Sequence, residues 1–509
     1  LVLWRIARKL LTETDAKDDY GISLVAVFAA LIFVLHPVQT QAVTYIYQRH
    51  TCLATFFVLS SFLCWIKAVT SKRYRLFLLG LSFLLSTAGM FTKEISVVIP
   101  FIMGIHFFCF KKSIRAEIKT WKVVLWCVFL LVLFLSIVLM TNSITPSAMK
   151  QVDSMRGIPG HVITQKDYFL TQGQSFLIYL KLIFFPMKQN IDYDIFVSKS
   201  LFSPPETFAG FFLIAVVFVL TLIFLKKNRI VSFALAFFVV SIIPQSSIIP
   251  KPDLVVEHRL YLAMAGFAIL FPFVLYQLIG QRRVVFTIFL SMIMLFYVVL
   301  TYQRNNLWKD PLKLWNDAVT KSPNKARPYL NRGLAYAQKG DIENAIKDYT
   351  TAIELNPWFV EAYNNRGILF ASIKEYQLAL ENFNRAIELN PEYAIAYNNR
   401  AVLYCSIGKW ELALKDFDTA LKYEPDYVDP LKNRGIAYLI LKDMKSAIRD
   451  FTRAIEKDPK NGELYNYRAL SYLFENELSS AEKDIRIAVK LGYKIHPALK
   501  SLIETSRKP

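Results

Sequence analysis

Apolar runs separated by short polar gaps fill residues 1–304, and a 34-residue rhythm of small and aromatic positions fills most of the rest. The runs lie at about 22–38, 51–66, 76–91, 95–110, 121–141, 207–225, 230–249, 260–279 and 284–301. A helix rises about 1.5 Å per residue, so roughly 20 apolar residues cross the hydrocarbon core of a bilayer. The pattern predicts an all-α, polytopic helical membrane domain of about nine spans over 1–304. Residues 168–187 are apolar only in part, and Gln172, Gln174 and Lys181 predict an interfacial or re-entrant helix there rather than a tenth span.

The second pattern starts at Ala326 and restarts at Val360, Ala394, Val428 and Gly462. The opening helices read YLNRGLAY, YNNRGILF, YNNRAVLY, LKNRGIAY and YNYRALSY. Ala345, Ala379, Ala413, Ala447 and Ala481 follow in the second helices, and Tyr349, Phe383, Phe417, Phe451 and Ile485 come four residues later. Small alanines let the helices approach, bulky side chains fill the gap, and Pro357, Pro391, Pro425 and Pro459 stop the second helix. This is the tetratricopeptide pattern, so an α-solenoid of five repeats is predicted over 326–495, with a tail at 496–509. Residues 305–325 match a second helix alone, a half-repeat linker through Trp315, Ala318 and Pro323, with no Gly/Ser-rich stretch before it.

Charge adds sidedness. Of the net +20, residues 1–304 contribute 29 basic against 13 acidic side chains, and residues 305–509 contribute 31 against 27. The basic excess sits in the apolar part, which argues against a nucleic-acid-binding face. Segments 1–21, 67–75, 111–122, 226–229 and 281–283 hold 4, 4, 5, 3 and 2 Lys/Arg, whereas 36–50, 92–94 and 250–259 hold 1, 1 and 2. The two sets alternate along the spans. The positive-inside rule then places the N-terminus in the cytosol, and the loop 142–206 and the repeats on the periplasmic or luminal side. Five cysteines without a CxxC or Cys/His spacing predict no structural metal and no disulfide framework. The chain opens on Leu1 without a signal-peptide pattern and is expected to be a trimmed form of a longer protein.

Candidate chemistry lies at the sparse tips. Lys93 and Glu94 interrupt 35 residues, Leu76 to Phe110, where two crossings want about 40. A charge at that depth costs roughly 2.5–3.5 kcal/mol, so such a pair faces a protein interior or a wet cavity, unless the lysine snorkels and the glutamate stays in the interface. His36 and Arg49 bracket the polar stretch HPVQTQAVTYIYQRH, and Glu257, His258 and Arg259 precede another span on the same side. They read either as the lining of one cavity or as ordinary loop ends. In the repeats, Asn331, Asn365, Asn399 and Asn433 recur at the sixth position. An amide offers donor and acceptor to an extended peptide in the groove, or bridges neighbouring helices and binds nothing.

HPVQTQAV…QR (36–49), TKE (92–94) and EHRLYLAMAGF (257–267), followed by the repeats, together resemble the transmembrane-and-tetratricopeptide O-mannosyltransferases and their bacterial relatives, membrane glycosyltransferases of the GT-C class. The resemblance implies a polyprenyl-phosphate sugar as donor, a protein acceptor recruited by the repeats at the non-cytosolic face, and a bacterial inner membrane as the favoured location. It also implies a catalytic acidic residue in a loop that precedes LVLWRIARKLL, so that loop is expected upstream of Leu1. Within this chain the implied roles are Glu94 as catalytic acid and His36, Arg49, Lys93 and Arg259 at the donor, with Asp192 and Asp194 as weaker candidates. No cofactor beyond the lipid-linked donor is implied. A non-catalytic membrane-anchored scaffold is the alternative. A transporter would show internal symmetry between membrane halves, and none is visible.

Overall fold

The structure, a computed structural model, describes residues 1–13, 18–44, 48–71, 73–110, 163–243, 253–279 and 282–495. The described residues are all α, and the chain divides into two units, Leu1–Pro328 and the part from Tyr329 onward. The half-repeat at 305–325 therefore belongs to the first unit. The predicted span 121–141 and the tail 496–509 lie outside the described residues.

The first unit contains helices α1 (Val2–Thr12), α2 (Asp19–Leu35), α3 (Thr40–Thr44), α4 (Arg49–Thr70), α5 (Arg75–Thr92), α6 (Ile99–Phe110), α7 (Gln165–Phe184), α8 (Pro205–Lys227), α9 (Arg229–Ile242), α10 (Leu260–Ile279), α11 (Arg283–Trp308) and α12 (Pro311–Lys321). Five described helices are long and apolar enough to cross a membrane, and six if the bent pair around Pro37 is one span. At the predicted spans 95–110 and 230–249 the described residues form shorter apolar helices, Glu94–Phe110 and Arg229–Ile242. α10 is buried along most of its length, whereas α8 and α11 turn Phe212, Phe218, Leu222, Val284, Ile288 and Leu295 outward. Continuous outward apolar surface of this kind suits lipid rather than water.

Contacts among the spans rely on small and hydroxyl side chains, as expected where no hydrophobic drive separates helix from lipid. Ser61 Oγ on α4 lies 3.0 and 2.8 Å from Ser82 Oγ and Ser86 Oγ on α5, and Ser82 Oγ donates to the Ser61 carbonyl at 3.0 Å. α7, predicted over 168–187 as an interfacial or re-entrant helix, is a continuous 20-residue helix packed on α8. At their crossing a Cβ on Gly210 would stand 1.9 Å from the Gly173 carbonyl oxygen, so the two backbones touch. Asp18 caps α2 through the Gly21 N–H at 3.0 Å and ties it to α10 and α11 by accepting from Tyr276 Oη at 2.5 Å and Arg283 Nη2 at 2.8 Å.

In the second unit each repeat is a helix pair. Ala345, Ala379, Ala413, Ala447 and Ala481 are all fully buried, as are Tyr349, Phe383, Phe417 and Phe451. An arginine on each first helix supplies a regular electrostatic tie. Arg332, Arg400, Arg434 and Arg468 make paired bonds of 2.7–2.8 Å to Asp348, Asp416, Asp450 and Asp484, sixteen residues on. Bidentate geometry makes these stronger than single bonds. The same arginines reach back: Arg400 Nη1 to Asn384 at 2.6 Å, Arg434 Nη1 to Asp418 and Arg468 Nη1 to Thr452 at 3.1 Å. In the second repeat Arg366 meets Asn382 instead, through one bond of 2.9 Å, and Thr350 at 3.0 Å. The turns between paired helices need a left-handed residue, supplied by Gly340 and Gly408 but by Lys374 (φ 66°), Lys442 (φ 62°) and Asn476 (φ 59°) elsewhere.

Two stability outcomes follow from these contacts. Gly210→Ala should lower stability in detergent thermal melts by ~1–3 kcal/mol through overpacking, while Gly80→Ala, inside α5 with open space around its Cβ, should melt no lower than the parent, since alanine is the better helix former. Lys442→Gly should raise stability by about 1 kcal/mol, since an L side chain in the left-handed region costs about that much and glycine does not.

Candidate functional site

The polar stretch after α2 is a helix break held open by its own side chains. Pro37 has no N–H to continue the ladder and biases His36 to extended backbone (φ −67°, ψ 128°). His36 Nδ1 accepts the Val38 N–H at 3.3 Å, and Nε2 lies 2.9 Å from the Ile183 carbonyl of α7. The tautomer with its proton on Nε2 satisfies both. A 3-10 turn, Pro37–Gln39, leads into α3, and the paired segments bend by 48°. Groups along the break then find partners, several of them on other segments. The Pro37 carbonyl accepts from Thr40 Oγ1 at 2.8 Å and Gln189 Nε2 at 2.9 Å. Gln41 Oε1 accepts the His258 N–H at 2.8 Å, and Thr301 Oγ1 donates to the Leu35 carbonyl at 2.8 Å.

Lys93, the C-cap of α5, extends to the start of α4. Its Nζ donates to Thr51 Oγ1 at 2.6 Å and Gln48 Oε1 at 3.1 Å. His50 lies close enough to feel the charges of both Lys93 and Glu94. Arg49 and Glu94 are exposed beside it. Cys52, one turn along, donates to the Ala42 carbonyl at 3.2 Å and bonds Tyr261, which joins this group to α3 and α10. Lys93 and Glu94 thus lie together near His50, with Arg49 next to it in the chain. Gln48, His50 and Thr51 complete the group. The sequence signal for them was adjacency to Arg49 in a stretch too polar for a plain turn.

Arg259 and His36 are placed differently. Arg259 is 2% exposed and donates through Nη1 to the Leu254 carbonyl at 3.0 Å and through Nη2 to that of Asp253 at 2.7 Å. Both residues hold the loops that frame the group, and neither presents a free face beside Lys93.

The centre of the polar network is Glu257, which the sequence offered as cavity lining or loop end without a role of its own. Glu257, beside Arg259, has no exposed surface. Its Oε1 accepts the Asn190 N–H and the Tyr193 hydroxyl, both at 2.7 Å, and its Oε2 accepts Gln189 Nε2 at 3.1 Å. Arg304 Nη2 stands 4.0 Å from Glu257, while Arg304 Nη1 donates to Asp317 Oδ2 at 3.3 Å. Lys321 Nζ closes the chain on Asp317 and the Gln189 carbonyl, each at 2.7 Å. Asp192 is an anchor rather than an open acid: Lys325 Nζ donates at 2.8 Å and Arg327 Nε at 2.6 Å, and Arg327 Nη2 goes on to Asp253 at 2.7 Å. Asp194 is exposed. Burial pushes the Asp192 carboxyl up, but the Arg327 and Lys325 cations more than offset it, so it titrates below the ordinary range. Among the described residues no group of three or more His, Cys, Asp or Glu could hold a metal ion.

The asparagine ladder of the second unit is knitted to itself. Asn399 Nδ2 donates to Asn364 Oδ1 at 2.9 Å and Asn433 Nδ2 to Asn398 Oδ1 at 3.1 Å, so amides bridge neighbouring first helices. Asn365 accepts from Asn364 at 3.2 Å, and Asn331 has partners of its own. Ile368 and Val402, three residues after two ladder positions, are exposed.

The Asp192 anchor has a measurable pH signature. Asp192→Asn should lower stability at pH 7 by ~1–3 kcal/mol, less than for an enclosed pair because both cations are partly in water. The folded carboxyl titrates below its unfolded value of about 3.9. Its contribution is therefore full above that value and fades as pH falls through the folded pKa, so chemical denaturation curves of variant and parent should converge only in strong acid.

Family models described as TPR repeat and tetratricopeptide repeat match residues 333–374 and residues 360–393, 394–427 and 428–461. A protein O-mannosyl-transferase of Caenorhabditis elegans is 24% identical over 328 residues, 64% of this chain and 45% of that protein. The chain thus matches less than half the length of this relative. Among solved structures, PilF of Pseudomonas aeruginosa is 21% identical with TM-score 0.33, covering 35% of this chain and 80% of that one. MamA of Desulfovibrio magneticus is 18% identical with TM-score 0.30, covering 33% and 94%. YrrB, described as a TPR protein with an unusual peptide-binding site, is 17% identical with TM-score 0.31, covering 39% and 100%. With apolar helices in one unit and tetratricopeptide repeats in the other, the chain is similar over part of its length to a protein O-mannosyl-transferase.

Proposed function

We propose that this chain belongs to a membrane glycosyltransferase that passes a sugar from a polyprenyl-phosphate donor to a protein hydroxyl at the non-cytosolic face. The observation that carries the reading is the convergence of Lys93, His50 and Glu94 beside a broken span, with the Lys93 ammonium held by Thr51 and Gln48 and Arg49 next to His50 in the chain. In transfer the acceptor oxygen bonds the anomeric carbon and the bond from that carbon to the phosphate oxygen breaks. The electron pair leaves with the polyprenyl phosphate, and the hydroxyl proton goes to a carboxylate. Lys93 and Arg49 supply cations where the leaving charge develops, and a fixed cation needs little reorganisation at that moment. Glu94 is the exposed carboxylate beside them, with His50 next to it. His36, Glu257 and Arg259 hold the surrounding backbone.

The repeats take the acceptor as an extended segment. Asn331, Asn365, Asn399 and Asn433 face its backbone, with exposed Ile368 and Val402 beside the ladder. Alternation of basic loops supports a cytosolic N-terminus and non-cytosolic repeats, and a bacterial inner membrane is the favoured setting.

In membranes holding the full-length protein, Lys93→Ala should reduce transfer from a polyprenyl-phosphate sugar about 10²–10³-fold, the scale of losing one transition-state donor. Expression and protease resistance should stay unchanged. Undiminished transfer would remove Lys93 from the donor site. A protein that retains partner capture by its repeats while no variant alters any transfer would be the membrane-anchored scaffold instead.

A further inference from the structure

Buried polar groups in folded proteins nearly always find partners, and an exception asks for a ligand or water. The seam between the helix break and the last turns of α11 holds two exceptions among the described residues. Gln39 is 4% exposed, and both its amide oxygen and its amide nitrogen are buried without a partner. Arg304 is 4% exposed, and its Nε and Nη2 groups are buried without a hydrogen-bond acceptor. The two belong to one neighbourhood. On α11, Thr301 bonds the Leu35 carbonyl at 2.8 Å and Asn305 Oδ1 accepts from Thr44 at 3.1 Å, so Arg304 lies on the stretch of helix that runs along residues 35–44. Gln189 ties the same places together, bonding the Pro37 carbonyl at 2.9 Å and Glu257 at 3.1 Å, with Arg304 Nη2 4.0 Å from that carboxylate. The Trp308 ring lies 5.9 Å from the guanidinium.

The charges narrow the ligand class. One guanidinium already faces two carboxylates, Glu257 at 4.0 Å and Asp317 at 3.3 Å, so a further anion would be repelled. A cation would meet the open N–H groups of Arg304 and find only one open acceptor, the Gln39 amide oxygen. An apolar ligand would leave the amide unmatched. Neutral hydroxyl groups fit, because each can accept from a guanidinium or amide N–H and donate to an amide or carboxylate oxygen.

We propose that Gln39 and Arg304, beside Glu257, form a subsite for the hydroxyl groups of a neutral sugar ring. Resting on the reading above, that ring is the sugar of the lipid-linked donor, whose phosphate meets Lys93. The Ala42–Cys52–Tyr261 contacts connect the two places.

The test uses the full chain purified in lipid nanodiscs, with methyl glycosides of mannose, glucose and galactose as probes and inorganic phosphate as the anionic control. Saturation-transfer NMR and thermal melts should register at least one glycoside on the parent protein. The glycoside effect should persist in Lys93→Ala. Gln39→Leu and Arg304→Lys should each weaken it about tenfold or more, the scale of one or two hydrogen bonds. Gln39→Leu should melt at or above the parent without sugar, since it removes an unpaired buried amide. The proposal is overturned if no glycoside registers on the parent at the highest soluble concentration, if Gln39→Leu binds as the parent does, or if Gln39→Leu melts well below the parent, which would give the amide a structural partner. Glycoside effects lost in Gln39→Leu in a protein that shows no transfer would sustain the subsite and remove only the enzymatic reading.

Discussion

A carboxylate with no exposed surface is the constraint around which the first unit is organised. Taking Glu257 out of water costs several kcal/mol unless every lone pair is met. Asn190, Tyr193 and Gln189 meet it, and all three belong to one loop after α7. Arg304 brings the end of α11 to the same carboxylate, and Asp317 and Lys321 continue the alternation of charge into α12. A chain that must satisfy this one group has to bring the loop after α7, the turn before α10 and the end of α11 together. The helix break at Pro37 is locked into the same network by Gln189. The polar stretch 36–50 is therefore longer than a hairpin needs because its side chains do the joining.

This arrangement separates two jobs that the sequence presents side by side. Glu257 and Arg259 build walls, and their polar atoms face other parts of the chain. Lys93, Arg49, His50 and Glu94 stand at the ends of helices, and the Lys93 ammonium is fixed there by Thr51 and Gln48. A held cation of that kind would suit the departing phosphate of the proposed reaction, since its orientation is set before charge develops.

Local patterns were legible and distant pairings were not. The 34-residue period predicts every helix pair of the second unit, because each repeat restates the same small–large packing rule. The meeting of Lys93 with the start of α4 was legible because one short hairpin separates α4 from the turn that carries Lys93. Nothing local announces that Glu257 will accept from Asn190, 67 positions away, or that Arg259 turns inward to carbonyls five and six positions before it. The arginine-to-aspartate column, in contrast, was present in the sequence as a constant spacing of sixteen and went unread, because the eye for this repeat follows apolar positions. The ladder asparagines show the reverse: their positions were legible, and the bonds from Asn399 to Asn364 and from Asn433 to Asn398 show part of their amide capacity going to neighbouring helices.

That column of arginines also grades the solenoid along its length. Four rungs are clamped by a two-pronged ionic grip, while the rung at Arg366 is held to Asn382 by a single neutral contact. A stack whose members lean only on their nearest neighbours separates first where the grip is weakest. Under tension or partial denaturation the seam around the second repeat would open ahead of the others, leaving the last three repeats as a cohesive block.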